Sequence, residues 1–185
     1  GEVQGIGQAH AYLVLSDVAT QSGDTERARD YIESAFETAL ESPEHERRLL
    51  AALVELDRPA LVQRALELRW SHVTDPVERC ALLRDRLDIP MAPQEAHSTK
   101  ERLERRARET WARLNESTPA VAFRNLAEVF DWLGDTTAAT QALNTFADRV
   151  DWAKATPEDA AALLRLAHRE LSEGCDFAIA HRHIE

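Results

Sequence analysis

Apolar residues recur along this chain with the spacing of helices. Apolar side chains recur about once per helical turn in one stripe within residues 43–72 and another within residues 98–116: Leu49, Leu53, Leu56, Leu61, Ala65 and Leu66, then Leu103, Ala107, Trp111 and Leu114. Such spacing aligns side chains on one face of a helix, and no clear strand period interrupts it. The pattern predicts an all-α protein with helix in more than roughly 65% of residues, far above the usual third.

Prolines mark where several helices begin. Four prolines directly follow a Ser, Thr or Asp: Ser42-Pro43, Asp75-Pro76, Thr118-Pro119 and Thr156-Pro157. The polar side chain accepts a hydrogen bond from an unpaired main-chain N–H, and proline loses no hydrogen bond at the first helical position. Glu78 and Asp159 add an acid at the third helical position, as in a capping box, and Ser98-x-x-Glu101 resembles another. The predicted helices are 8–22, 25–41, 43–56, 59–72, 76–87, 98–116, 119–133, 136–150 and 157–173, with a further helical segment from 175.

Two stretches of the chain resemble each other. Residues 16–28 align with residues 127–139 at an offset of 111, close to three units of about 37 residues, which is a period typical of repeat arrays. In both stretches an apolar helical pattern ends at a glycine, Gly23 or Gly134, and Asp-Thr follows. Glycine accepts the left-handed conformation that ends many helices. We therefore expect a positive φ at both glycines.

The repeated unit resembles the tetratricopeptide repeat, whose period is about 34 residues. In residues 9–42 the family's aromatic, large–small pair, turn glycine and small residues fall on Tyr12, Leu15-Ser16, Gly23, Ala28 and Ala35. In residues 120–153 they fall on Phe123, Leu126-Ala127, Gly134 and Ala139, with Phe146 at the later small position and so a locally wider packing. Residues 43–76 continue the period, with Asp57-Arg58-Pro59 in place of the turn glycine.

The resemblance implies a right-handed solenoid of about four to five antiparallel helical hairpins without a β-sheet. It implies a single domain over residues 1–185. Pro90 and Pro93 interrupt the helical pattern, so residues 88–97 form either a hinge between halves 1–87 and 98–185 or an ordered loop.

Members of this family bind ligands against the first helix of each hairpin, which implies a protein-interaction scaffold that binds a protein or peptide in a concave groove. The positions that carry over to the groove are His10, Leu13 and Asp17, then Arg47, Ala51 and Glu55, then Arg124, Glu128 and Trp132. Trp132 beside Arg124 has the chemistry of an interaction hot spot, unless Trp132 packs on the next hairpin. The chaperone-tail clamp of some members needs Lys and Asn where Leu13 and Asp17 stand, so chaperone tails are not expected ligands.

Composition narrows the function further. The chain has 185 residues and a net charge of −11, which argues against nucleic acid as a partner, and no apolar run approaches the roughly 18 residues of a membrane span. Two cysteines without a CxxC motif fit a reduced, cytoplasmic protein. Abundant Ala and Arg with only two lysines indicate a GC-rich bacterial gene, and a first residue other than Met suggests a fragment of a longer chain. The oligomeric state stays open.

Motifs for catalysis and cofactors are incomplete in this sequence. Gly5-Ile-Gly7 lacks the third glycine of a dinucleotide loop, and His45-Glu46-Arg47-Arg48-Leu49 lacks the second histidine of a zinc protease. We therefore expect no enzyme activity, no cofactor and no metal. A rival hypothesis is a metal-binding or enzymatic protein that uses His168, Cys175, His181 and His183. A third is a structural dimerisation or stalk segment.

Two charged helical faces have both a binding and a structural interpretation. Acidic residues four or three apart form a stripe on one helix: Glu26, Asp30, Glu33, Glu37 and Glu41. The stripe is either a docking face for a basic peptide or a solvated surface, and we favour the second. Residues 100–113 alternate arginine with glutamate, which favours a salt-bridged helix over a phosphate-binding track.

Overall fold

The structure, a computed structural model, describes residues 7–40, 42–89 and 96–172. These residues are 83% helical and contain no strand. The helices are α1 (Gln8–Gln21), α2 (Thr25–Ala39), α3 (Pro43–Glu55), α4 (Pro59–His72), α5 (Pro76–Asp85), α6 (Ala96–Trp111), α7 (Ala120–Leu133), α8 (Thr136–Arg149) and α9 (Pro157–Ser172), with 3-10 turns at Arg86–Asp88 and Trp152–Lys154. The all-α prediction is confirmed for this part of the chain. The expected helical segment from 175 lies outside the described residues, as does Glu41 of the acidic stripe.

The chain divides into two compact units between His72 and Val73. Unit 1 contains α1–α4, and unit 2 contains α5–α9. In unit 2, α5 packs against both α6 and α7; Pro90 and Pro93 of the 88–97 segment lie outside the described residues. The single domain over 1–185 with halves 1–87 and 98–185 stays a prediction.

Three pairs of consecutive helices are joined by the same left-handed turn. Gly23 and Gly134 have φ angles of 81° and 83°, and Asp57 has a φ of 52°. In each turn the N–H of the next residue donates to a carbonyl five residues earlier: Asp24 to Ala19 (2.9 Å), Arg58 to Leu53 (3.0 Å) and Asp135 to Phe130 (2.9 Å). This pattern is the Schellman motif, which pairs carbonyls that a helix end leaves free. The prediction for both glycines is confirmed, and Asp57 adopts the same conformation without being glycine.

Polar side chains cap the helices that follow. In five of the described helices the capping oxygen accepts a hydrogen bond from the N–H three residues on: Asp24 from Arg27 (3.1 Å), Ser42 from His45 (3.2 Å), Asp75 from Glu78 (2.9 Å), Asp135 from Ala138 (3.0 Å) and Thr156 from Asp159 (3.3 Å). Each such cap contributes about 1 kcal/mol. The caps at Ser42 and Asp75 confirm the interpretation of those Ser-Pro and Asp-Pro pairs.

Two predicted helix starts are wrong. Thr118 does not cap α7: its hydroxyl accepts a hydrogen bond from the N–H of Asn115 at 2.9 Å, and the helix begins after Pro119. Ser98 lies inside α6, which already begins at Ala96. This helix also ends at Trp111 rather than at 116, since the chain turns there through bonds between residues three apart.

Unit 1 buries the facing sides of its helices. The buried apolar residues include Leu13, Ala35, Phe36, Leu49 and Leu53. Leu13 is only 2% exposed, so its expected place on a ligand groove is wrong: it packs in the core.

The guanidinium of Arg64 on α4 lies 4.3 Å from the ring centre of Phe36 and pairs with Glu33 on α2. Glu33, a member of the acidic stripe, therefore joins α2 to α4.

Unit 2 has an aromatic centre. The ring of Trp111 meets those of Phe123 and Phe130 edge-on, with centroids 5.9 and 6.0 Å apart, a favourable geometry for aromatic pairs. Phe146 is buried in the same cluster, together with apolar residues of α7, α8 and α9. The cluster therefore accommodates a large ring at the position where the repeat family places a small residue.

The charged surface of α6 is a salt-bridged helix. Arg105 pairs with Glu109 at 3.9 Å, and Arg108 pairs with Glu104 at 3.1 Å, each four residues apart on exposed side chains. Arg108 also reaches Asp135, the cap of α8, at 2.8 Å. Since exposed pairs of this kind are screened by solvent and contribute little, they support the helix without adding much stability.

Gly134→Ala is expected to lower the free energy of unfolding by about 1 kcal/mol, because only the left-handed backbone opposes the new methyl group. No heavy atom lies within 4 Å of the Cβ position at Gly134. Urea denaturation measures the loss. Gly134→Asn is the matched control, since asparagine tolerates this conformation and should cost less. Equal losses for Ala and Asn would contradict the backbone explanation.

Asp57→Gly is expected to raise the free energy of unfolding by roughly 0.5 kcal/mol, because glycine adopts a positive φ without strain. Asp57→Ala at the same position should lower it. Thermal unfolding of the three proteins orders them Gly, Asp, Ala from most to least stable. A glycine variant less stable than the parent would show that the Asp57 side chain makes its own contribution to the turn.

Candidate functional site

An open cleft of about 500 Å³ lies in unit 1, between the start of α1, the end of α2 and α3. Small residues provide part of its lining: Gly7, Ala9, Ala51 and Ala52. Their short side chains leave the volume empty. The polar lining residues are Gln8, His10, Thr38, His45, Arg48 and Glu55. This volume lies within the range of ligand-binding sites, which commonly combine apolar walls with a few polar groups.

Three positions expected on a ligand groove meet in this cleft: His10 from α1, and Ala51 and Glu55 from α3. The polar residues of the cleft that sequence reasoning missed are Gln8, Thr38, His45 and Arg48. The incomplete zinc-protease motif that begins at His45 lies on this helix, but that motif indicates metal binding and would need a second histidine.

Two further predicted groove residues of unit 1 lie elsewhere. Asp17 forms an ion pair with Arg58 of the turn between α3 and α4, so it connects α1 to that turn. Arg47 is exposed on α3 and does not line the cleft. The cleft therefore unites His10 and Glu55 and leaves Asp17 and Arg47 outside.

In unit 2, a row of ion pairs joins α7 to α9. Three pairs follow each other along the helices: Arg124 Nη1 with Asp159 Oδ1 at 2.6 Å, Glu128 Oε1 with Arg165 Nη2 at 3.1 Å, and Asp131 with Arg169. As the residue numbers rise along α7, those of the partners rise along α9. The two helices therefore run side by side in the same direction, with partners 35 to 38 residues apart in sequence.

Glu128 also contacts the helix on the other flank of α7. Its Oε2 accepts a hydrogen bond from Nε of Arg84 on α5 at 3.0 Å. The bond to Glu128, followed by the one to Asp88, raises the pKa of the Arg84 guanidinium. One carboxylate thus joins α5, α7 and α9 within unit 2.

Asp159 closes a reciprocal capping box at the start of α9. The N–H of Thr156 donates to Asp159 Oδ2 at 2.9 Å, and the N–H of Asp159 donates to the Thr156 hydroxyl at 3.3 Å. Burial by itself raises the pKa of Asp159, but the hydrogen bonds from Thr156 and the charge of Arg124 outweigh it, so the pKa lies below its ordinary value. The capping box expected at Thr156 is confirmed.

The groove residues predicted in unit 2 divide into two kinds. The side chains of Arg124 and Glu128 are only 17% and 21% exposed, and both are engaged in the ion pairs that join the helices. Trp132 is 39% exposed and offers part of its ring to solvent. A sequence signal for the ion pairs existed: opposite charges stand about one repeat apart along α7 and α9.

Histidine and cysteine form no cluster in the part of the chain that the structure describes, where no three His, Cys, Asp or Glu side chains are placed to hold a metal ion. His168 is exposed on α9. Cys175, His181 and His183 of the expected ligand group lie outside the described residues. Cys80 is fully buried, and burial, followed by the charge of Asp75, raises the pKa of its thiol to about 12, so Cys80 stays protonated at neutral pH.

No protein-family model matches this chain, and comparisons with curated proteins and with solved structures find no match. The resemblance to tetratricopeptide repeats therefore rests on the residues of the chain itself. Within the described residues, no helix combines the length and the apolar composition needed to cross a membrane.

Asp159→Asn is expected to lower the free energy of unfolding at pH 7 by about 1–2 kcal/mol, since it weakens both the cap and the pair with Arg124. The carboxylate has a lowered pKa in the folded protein, so its contribution is complete above the unfolded value near 4 and is lost as the pH falls through the folded value. The variant and the parent should therefore converge in stability at low pH.

Denaturant unfolding at pH 7 and at about pH 3 tests this expectation. Asp148→Asn, at an exposed position on α8, is the matched control and should change stability by less than about 0.5 kcal/mol at either pH. A loss for Asp159→Asn that is the same at both pH values would show that the charge of Asp159 contributes nothing.

Proposed function

We propose that this chain is a protein-interaction module that binds a peptide segment of a partner in the cleft of unit 1. The observation that carries the proposal is the convergence of His10, Ala51 and Glu55 on one open volume of about 500 Å³. Such a volume accommodates a few side chains of an extended or helical segment, and its polar groups are spaced along α1 and α3 to contact them.

The helix arrangement supports a tetratricopeptide-like architecture. The left-handed turn recurs after α1, α3 and α7, and the helices α7 and α9 run side by side with ion-pair partners 35 to 38 residues apart. That offset is close to the period of the repeat family. We propose on this basis that the helical pairs stack as hairpins of a solenoid, with α1 and α3 as neighbouring first helices of unit 1.

Unit 2 has a different part in the proposal. Arg124 and Glu128 hold α7 to its neighbours, so we assign them to the scaffold. Trp132 is the groove residue of unit 2 that remains available as an aromatic anchor, because 39% of it is exposed.

Filling the cleft tests the proposed function. The immobilised protein is screened against a random dodecapeptide library, and enriched peptides are measured by isothermal titration calorimetry. Ala51→Trp should weaken their binding at least tenfold, because the indole occupies the cleft. Ala60→Trp is the matched control: Ala60 is exposed on α4 and does not line the cleft, so binding should be unchanged.

Two outcomes would contradict the proposal. One is a screen that enriches no peptide. The other is a set of peptides whose affinity is unaffected by Ala51→Trp while circular dichroism shows both variants to be folded. A sedimentation experiment that finds a dimer dissociated by Ala51→Trp would instead favour the structural role, with the cleft occupied by a second copy.

A further inference from the structure

The proposed function leaves the conformation of the bound segment open, and the exposed side chains beside the cleft of unit 1 narrow it. Resting on that function, we infer that the occupant is an amphipathic helix of a partner protein. Its bulky apolar residues fill the cleft and cover the exposed apolar side chains of α1, and one acidic and one basic residue on the same face pair with α3. Recognition of this kind depends on apolar anchors repeated at each helical turn.

Large apolar side chains are exposed on both helices that form the cleft. Among the described residues of unit 1 they are Val14, Leu15 and Val18 on α1, Leu40 after α2, and Val54 on α3. Val14 and Val18 are 42% and 56% exposed, and they follow the cleft residue His10 at intervals of one turn on the same face of α1. Contiguous exposed apolar surface indicates an interaction site, so the partner is expected to cover this strip with apolar residues of its own.

The helices α1 and α3 run side by side in the same direction. His10 and Ala51 both line the cleft, and Asp17 and Arg58, each seven residues further along the chain, form an ion pair. Seven residues of helix extend over about 10 Å, or two turns. A partner helix laid along this seam therefore contacts both helices over at least two of its own turns.

The small residues of the cleft favour bulky residues on the partner, and the apolar strip favours a helix over an extended segment. Ala9, Ala51 and Ala52 leave space that a leucine or phenylalanine of the partner fills. An extended segment on the valines of α1 would remove its own main-chain N–H and C=O groups from water without giving them partners, which costs free energy. A helix pairs those groups internally, so it buries apolar side chains on the strip without this cost.

Opposite charges flank the cleft on α3. Arg47 and Glu55 are both exposed and lie four residues before and four residues after Ala51, about 12 Å apart along the helix. Neither forms an ion pair with another residue that the structure describes. A partner helix with an acid and a base eight residues apart pairs with both, whereas a helix with two like charges is repelled at one end. Charge complementarity therefore selects a partner helix of mixed charge.

Designed helical peptides test the inference by fluorescence anisotropy. The amphipathic peptide, built on alanine and glutamine, carries three leucines at successive turns of one face, with glutamate and lysine eight residues apart on that face. The dispersed peptide has the same composition, with its leucines distributed around the helix. Each is also made with reversed sequence, since either chain direction brings opposite charges together. The tighter-binding amphipathic peptide should bind at least about tenfold more tightly than either dispersed one, and a central proline, which breaks the helix, should remove the difference.

Variants of the protein assign the binding to the strip on α1. Val14→Ser/Val18→Ser should weaken binding of the amphipathic peptide about tenfold. Leu164→Ser is the matched control, because Leu164 is 64% exposed on α9 of unit 2, and it should leave the affinity unchanged. If the double variant loses its helical circular dichroism, amide shifts of the parent replace it: the amphipathic peptide should shift the amides of α1 and α3 and leave those of α9 unchanged.

A charge exchange tests the contact with α3. Glu55→Lys should weaken binding of the amphipathic peptide roughly threefold, and replacement of the peptide's lysine by glutamate should restore the affinity for this variant. Glu37→Lys makes the same change of charge on α2, at an exposed position that does not line the cleft, and should have no such effect. Equal losses for Glu55→Lys and Glu37→Lys would contradict the pairing with Glu55.

The failure of this inference is distinguishable from the failure of the proposed function. Equal or tighter binding of the dispersed peptide overturns the inference, and so does absence of binding by both. If Ala51→Trp still weakens the binding of library peptides in that case, the cleft remains a peptide site for segments of another kind. A dimer in sedimentation that Val14→Ser/Val18→Ser dissociates would overturn the inference in favour of a second copy on the strip. Absence of any enriched library peptide overturns the proposed function itself.

Discussion

The left-handed residue at the end of α1, α3 and α7 is the constraint on which the helical packing depends. A helix of about fourteen residues buries its apolar stripe only if another helix lies against it, and the turn at Gly23, Asp57 or Gly134 directs the next helix back along the first. The main-chain bonds of the turn satisfy carbonyls of the preceding helix, while Asp24 and Asp135 satisfy donors of the following one. The cores of both units form between helices placed in this way.

Local signals of this kind were the predictable part of the fold. Helix ends at glycine and helix starts at Ser42, Asp75 and Thr156 depend on residues within five positions of each other, so the sequence contains the whole interaction. The start at Thr118 was misplaced: its hydroxyl bonds to Asn115, which precedes it in the chain, and α7 begins after Pro119. The end of α6 was set too late because an apolar residue in the right phase, Leu114, packs on the core from outside the helix.

The candidate site was predictable only in part because it depends on which helices become neighbours. The family resemblance identified the faces of α1, α3 and α7, and from these His10 and Glu55 do reach one cleft. It did not show that Arg124 and Glu128 would be used between helices, since their partners stand more than thirty residues away. Leu13 was misjudged for a related reason: one turn along α1 from a cleft residue, it faces the core.

The side chains between side-by-side helices differ between the two units. This difference determines how many internal contacts a bound partner would have to break. Between α7 and α9, long side chains of opposite charge meet in pairs, so a ligand there would have to break contacts such as that of Arg124 with Asp159, both mostly buried. Losing one partner of a desolvated pair leaves the other charge unpaired, which costs several kcal/mol. Between α1 and α3, Ala9, Ala51 and Ala52 line the cleft, and the ion pair of its Arg48 with Glu44 is exposed. A ligand in that cleft would meet small side chains and an exposed ion pair, whereas one between α7 and α9 would have to separate Arg124 from Asp159, and this difference supports the cleft of unit 1 as the proposed binding site.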